Sequence, residues 1–297
     1  MNMTNNLNDL RKIKISSSFE FCRQALLYLQ NHIQSSRISD PDKFLEDLNK
    51  QGKTIVKMQP NMASLKKKIA MVIYIFKRAA KTKKSSEEIK RSAVERIQDL
   101  IDLANQKQEK IAAIGSKLIT SNAKIVTIGN STLVSEIFIA ASLQKRKFEV
   151  YCLESSPTGE GKVLAESLVR KGITTFLTGD AAMASVLQQV TFALVGATRI
   201  YEDAFVNKMG TLPLAMIARS LQLPFYLACE TDKILRESEY AVRFYQNDPD
   251  EIYIPKNKKL DILNLYYESI SSDYITKFIT EDGVFDTVEF KDWYLKD

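Results

Sequence analysis

Apolar and polar positions alternate in blocks through the middle of the chain. Lys124–Ile128 (KIVTI) and residues 148–153 (FEVYCL), 174–177, 192–195 and 224–229 are short apolar runs, each bounded by Gly, Asp or Pro. Between them, residues 133–142 and 163–170 carry apolar side chains at helical spacing. Short continuous apolar runs alternating with helices of roughly ten residues predict βαβ units and a parallel sheet covered on both faces. Ligands of such sheets sit at the carboxyl ends of the strands, in the turns that open the helices. Any chemistry is therefore expected in turns such as Gly129-Asn130-Ser131-Thr132 and residues 154–161 (ESSPTGEG).

The pattern before this stretch is helical throughout. Residues 1–15 read as frayed, and a helix is predicted over 18–34. Ser39-Asp40-Pro41 combines a capping residue with an early proline, the mark of a helix start, and Phe44, Leu45 and Leu48 supply an apolar face. Gly52 is expected to end that helix and Pro60 to open the next, where Met62, Leu65, Ile69, Val72, Ile73 and Phe76 recur on one side. Ser85 and Glu88 have capping-box spacing. They precede a long stripe through Ile89, Ala93, Ile97, Leu100, Ala104, Ile111, Ile114 and Leu118, a helix of about 45 Å at 1.5 Å per residue. The expected fold class is α/β: a helical N-terminal domain (residues 1–119) followed by a Rossmann-like domain with a mainly parallel sheet (residues 120–297). Beyond Cys229 the pattern weakens. Residues 251–254 suggest a late strand, residues 272–279 a short helix stopped by Glu281-Asp282-Gly283, and Trp293 and Tyr294 a tail that docks on a neighbour.

Composition narrows the function classes. The chain has 297 residues, 45% of them hydrophobic and 26% charged, which is globular. The opening MNMTNNLNDLRKIK is polar, and the longest apolar run, residues 69–76, is closed by Lys77-Arg78, so a cytoplasmic protein without membrane partners is expected. The cysteines Cys22, Cys152 and Cys229 are far apart and the single histidine, His32, lies in a helical stripe. That excludes a CxxC pair and a His-containing zinc set, so no metal site is expected, and His32 reads as a packing residue. The net charge of +6 has a local origin, since residues 66–91 hold ten Lys or Arg against Glu87 and Glu88. This region suits nucleic acid or another anionic partner. It equally suits the solvated face of two helices, which the lack of interleaved aromatics favours.

Gly179-Asp180-Ala181-Ala182, Leu194-Val195-Gly196-Ala197, Asn207-Lys208-Met209-Gly210-Thr211 and Leu223-Pro224-Phe225-Tyr226 follow one another in an order that resembles one superfamily. It comprises the regulatory alpha, beta and delta subunits of translation initiation factor 2B, with isomerases of ribose 1,5-bisphosphate and methylthioribose 1-phosphate. ESSPTGEG, residues 279–284 (ITEDGV) and 58–65 (MQPNMASL) extend the resemblance over nearly the whole chain. It implies a phosphosugar-type pocket whose ligand-binding residues are Asn130, Ser131, Glu154, Gly159, Gly161, Asp180, Asn207, Lys208, Gly210 and Thr211. Physics gives several of them a role. Thr211 can cap a helix whose N-terminal amides attract an anion, Gly210 allows close approach, and Lys208 adds positive charge. Gly129-Asn130-Ser131 offers a similar cradle, and Asp180 can accept sugar hydroxyls. In the plainer alternative, Asp180 and Thr211 are helix caps.

The departures from the family pattern bear on catalysis. Gly129 stands where the isomerases have a proton-transferring Cys, and Thr198 where they have a catalytic Asp. Ser156 replaces the Arg of their Glu-Thr-Arg-Pro loop, and Glu202-Asp203 adds negative charge near the pocket mouth. Cys152 lies inside a strand and is no substitute. Each lost acid–base residue removes a factor of about 10²–10⁴. With no catalytic residues and no cofactor, the expectation is a regulatory binding protein of the initiation factor 2B alpha type, able to hold a sugar phosphate or nucleotide. The alternative is an isomerase using Asp180 and Lys208. A homodimer or higher oligomer through the C-terminal domain is expected from the resemblance and from the apolar, tyrosine-rich residues 260–267, with a translation initiation factor or other protein as partner.

Overall fold

The computed structural model describes residues 7, 10, 17–82, 85–235, 246–257 and 259–296. The expected frayed segment, residues 1–15, lies outside these apart from residues 7 and 10. The chain divides into two compact units, Met1–Lys107 and Gln108–Asp297.

The first unit contains α1 (Ser18–Ser35), α2 (Pro41–Met58), α3 (Ala63–Ala80) and the greater part of α4 (Ser86–Ser116). Each start has a local cause. Ser17 Oγ accepts from the Glu20 amide, and the Asp40 carboxylate accepts from the Asp42 and Lys43 amides with Pro41 behind it. Ser85 and Glu88 exchange hydrogen bonds in both directions, completing the capping box. The apolar stripes meet in one core around Leu29, Ile33, Phe44, Ile55, Leu65, Ile69, Phe76 and Ile97. Gly52 does not end α2. A Cβ there would stand 2.7 Å from Ile69 Cγ2, so the glycine lets α2 and α3 approach, and that packing outweighs its helix penalty of about 1 kcal/mol. Residues 59–61 form a turn rather than the first turn of α3, whose cap position is Met62. His32 lies between the Tyr28 and Phe44 rings with Nε2 2.5 Å from Asp47. Lys90, one of the basic cluster, is buried and donates to Ser36 O at 2.6 Å.

The second unit is built on a seven-stranded sheet. In chain order its strands are β1 (Lys124–Ile128), β2 (Glu149–Leu153), β3 (Thr174–Thr178), β4 (Phe192–Gly196), β7 (Phe225–Ala228), β9 (Lys277–Thr280) and β10 (Gly283–Phe285). Across the sheet they lie in the order β10-β9-β7-β4-β1-β2-β3, all parallel except β10. Helices α5 (Thr132–Leu143), α6 (Glu160–Arg170), α7 (Met183–Leu187) and α8 (Thr211–Ser220) connect the parallel strands. Alternate strand residues feed two cores, Val126, Val195 and Leu227 on one face and Ile125, Val150 and Leu194 on the other. The chain runs outward from β1 to β3 and returns beside β1 as β4. The switch point, and so the crevice for a ligand, lies at the carboxyl ends of β1 and β4.

A second, antiparallel sheet joins β5 (Arg199–Ile200), β6 (Ala204–Lys208) and β8 (Tyr267–Ser271). Three expectations for the C-terminal part fail. Residues 251–254 are not a strand: Asp248 and Pro249 start a 3₁₀ turn, Pro249–Glu251. Residues 272–279 are not a helix. A 3₁₀ turn, Ser272–Tyr274, capped by Ser271, gives way to β9, where the apolar Phe278 and Ile279 enter the sheet. Trp293 and Tyr294 belong to α9 (Thr287–Lys296) and not to a tail on a neighbour. Phe290 stacks on Phe278 at 3.8 Å between ring centres, and the Tyr294 hydroxyl donates to Leu235 O at 2.7 Å. Among the described residues no helix is long and apolar enough to cross a membrane.

Candidate functional site

Three turns converge on Gly129 at the end of β1. Its φ is +82°, and its N–H donates to Ser155 Oγ at 2.8 Å. Ser155 is wholly buried and itself left-handed, at φ +61°. Both oxygens of Asp180 serve this loop, accepting from the Ser155 amide at 2.9 Å and the Ser156 amide at 2.7 Å. The carboxylate expected to receive sugar hydroxyls thus holds the 154–156 backbone. Glu154 turns to Lys162, 3.0 Å away. Gly159 precedes α6 at φ +69°, and a side chain on Gly161 would collide with the Leu153 carbonyl oxygen. Ser131 caps α5, accepting from the Val134 amide at 3.3 Å, while Asn130 is half-buried in the same turn.

The end of β6 brings in Asn207 and Lys208. Asn207 Nδ2 donates to Thr211 Oγ1 at 3.1 Å, and that hydroxyl donates to Lys208 O at 2.6 Å. Thr211 is therefore inside α8 and not its cap; the cap position is Gly210, at φ +99°. The amides expected to attract a ligand anion have an internal one. Glu268, on β8, accepts from the Gly210 and Leu212 amides through Oε1 at 2.7 and 2.9 Å. Nothing local in NKMGT signals Glu268, because the pairing of β6 with β8, which sets Asn207 opposite it, brings it there.

Lys208 is likewise matched. Its Nζ donates to Thr158 Oγ1 at 2.7 Å and to Glu160 Oε1 at 3.0 Å, and stands 4.5 Å from the centre of the Tyr266 ring. Its side chain is only 4% exposed. Burial, and then its hydrogen bond to Glu251, push the Tyr266 phenol above its usual range. Glu160 was missed in the sequence pattern, yet its Oε2 lies 3.9 Å from where a Cβ on Gly129 would stand. A carboxylate therefore borders the position where a Cys side chain would project. Thr198 is buried after β4, its N–H donating to Val206 O at 2.8 Å. Cys152 is buried in β2, which pushes its thiol up to about 12. The structure thus brings Gly129, Asp180, Glu160 and Lys208 together, with each charged member partnered within the protein.

The sequence profile of the Initiation factor 2 subunit family matches residues 14–287. The chain is similar to the ribose 1,5-bisphosphate isomerase of Archaeoglobus fulgidus, at 28% identity over 82% of this chain and 77% of that protein. It is also similar to a putative translation initiation factor eIF-2B subunit 2-like protein of Pyrococcus abyssi, at 30% identity over 76% of this chain and 77% of the relative. The solved structure of a translation initiation factor eIF-2B from Pyrococcus horikoshii superposes with a TM-score of 0.77 at 25% identity, over 94% of both chains.

Proposed function

Because the chain belongs to the initiation factor 2 subunit family, whose members similar to it include both eIF-2B-like subunits and ribose 1,5-bisphosphate isomerases, we propose that it is a non-catalytic regulatory subunit of the initiation factor 2B alpha type. The observation that carries this reading is the set of groups around Gly129, the end of β1. Glycine and Thr198 have no atom that exchanges protons near neutral pH. Lys208 and the α8 N-terminus are neutralised by Glu160 and Glu268. A sugar phosphate or nucleotide bound there exchanges the Glu160–Lys208 pair for a phosphate–Lys208 pair, which suits a ligand that is sensed rather than turned over. The protein acts in the cytoplasm as a homodimer or higher oligomer, on a translation initiation factor or related protein partner.

A second reading has one observation in its favour: Glu160 and Lys208 form a titratable pair beside Gly129, as an aldose–ketose isomerase needs. Turnover of ribose 1,5-bisphosphate by the purified protein separates the two. The regulatory reading expects none above the uncatalysed rate, together with saturable binding of the same compound weakened by Lys208→Met. Robust turnover abolished by Glu160→Gln would overturn it. Restoring a Cys at position 129 is a poor control, since φ +82° strains any side chain there.

A further inference from the structure

The outer face of α3 carries a pattern that the linear sequence hides. Along the chain, Met71 and Tyr74 fall inside the apolar run of residues 69–76. On the helix they part from it. Ile69, Val72 and Phe76 enter the core, while Met71 is 46% and Tyr74 56% exposed. Lys67, Met71, Tyr74, Arg78 and Lys81 follow one another at spacings of four, three, four and three residues, and all five are exposed. At 3.6 residues per turn they form one row about 20 Å long. Lys77 is exposed on its flank. A ring and a thioether thus stand between cations, which is the aromatic interleaving missing from a linear reading of the basic region.

Charge selects the partner. α3 holds five Lys or Arg and no Asp or Glu. Other cations of this unit are tied to carboxylates, Arg23 to Glu20 at 2.9 Å and Arg96 to Asp99 at 3.5 Å. Among the described residues Lys77, Arg78 and Lys81 have no such partner. A membrane surface needs a broad apolar face, and α3 has turned its own into the core. A nucleic-acid strand fits both features of the row, its phosphates meeting the cations and a base lying on the exposed ring. A duplex keeps its base faces stacked inside, so the ring selects an unpaired strand. We propose that this face of α3 binds single-stranded nucleic acid, with a base stacked on Tyr74 beside Met71 and backbone phosphates on Lys67, Arg78 and Lys81. The surface belongs to the first unit and does not draw on the regulatory reading.

Fluorescence anisotropy of a labelled oligouridylate of about twelve nucleotides, titrated with the full chain, tests the surface. Binding at about 50 mM salt is expected to saturate and to weaken as salt rises. Tyr74→Ala is expected to lose about fivefold to 150-fold in affinity, the range for one stacked base, with the salt slope unchanged. Tyr74→Phe keeps the ring and should bind as the wild type does. Arg78→Gln combined with Lys81→Gln is expected to lower the slope by about 1.4, or about 0.7 for each phosphate contact. Lys117→Gln combined with Lys171→Gln removes the same charge at exposed positions of the second unit and should leave the slope unchanged. No binding at that salt, Tyr74→Ala binding like the wild type, or an equal loss of slope in the Lys117 and Lys171 variant would overturn the proposal. So would polyglutamate, phosphatidylserine vesicles or duplex RNA displacing the probe as well as unlabelled oligouridylate does at equal charge.

Discussion

At Cys152 the sheet withdraws a nucleophile from use. Its sulfur sits in β2 among apolar neighbours, and burial lifts the thiol from 9.0 to about 12. The folded chain keeps a proton that the unfolded chain releases near its ordinary value. Stability is therefore intact below pH 9.0 and declines as the pH climbs towards about 12. Tyr151 and Tyr226, also raised by burial, act in the same direction. Urea unfolding between about pH 8 and pH 11 is expected to give a falling free energy whose slope is shallower in Cys152→Ala. The native protein at about pH 8 is expected to leave Cys152 unmodified by a thiol reagent, as follows for a buried neutral thiol. Rapid modification at Cys152 under those conditions would refute the account.

The N-terminus of α8 illustrates how an element is completed from far away. Its first amides are held by Glu268, 58 residues beyond Gly210. Glu268→Ala leaves those amides without their acceptor and the helix dipole without its counter-charge, an expected loss of about 1–3 kcal/mol. Glu268→Gln, which keeps an acceptor oxygen, should lose less. Inorganic phosphate at constant ionic strength is expected to raise the melting temperature of Glu268→Ala more than that of the wild type. If phosphate stabilises both equally, Glu268 does not occupy an anion site.

Distance along the chain also decides what was legible in the sequence. β1 to β4 and β7 were readable because continuous apolar runs and flanking turns sit within each segment. ESSPTGEG is readable as a turn for the same local reason, whereas NKMGT stands out only through the family resemblance, and its Asn207 and Lys208 belong to β6 and its Thr211 to α8. β5, β6 and β8 were not readable, since they are short and owe their form to cross-strand partners. The run that forms β9 fits a helix as well as a strand, because a short apolar run matches either period. At Gly52 glycine's local helix penalty is visible in the sequence, while the facing Ile69 that outweighs it is not. Glu160 and Glu268, the two carboxylates that neutralise the pocket, escaped for the same cause: one becomes relevant only beside Lys208 and the other only through the second sheet.

At the scale of the molecule two apolar surfaces compete for a partner. On one, Leu263 is 69% and Leu260 53% exposed in residues 260–267, the segment expected to mediate assembly, and Ile254, which precedes it, is 69% exposed. On the other, β3 is an edge of the seven-stranded sheet, with Phe176 and Leu177 nearly half exposed and Val169 beside them. Exposed groups of this kind mark interfaces, and an open edge strand is a template for pairing. The edge carries its own defence in Lys162, Glu166 and Arg170, which lie with Leu177 around a shallow groove. Lys256, Lys258, Lys259 and Asp261 interrupt the C-terminal segment as well, so charge does not separate the two surfaces, and the contact is expected in the C-terminal segment on the strength of the oligomer proposed above. Sedimentation equilibrium at micromolar concentration is expected to give twice the chain mass of 33.7 kDa. Ile254→Asp combined with Leu260→Asp should return the protein to monomer, while Phe176→Lys should leave the dimer intact. The reverse pattern would move the interface to the sheet edge, and a monomeric wild type would remove the need for either.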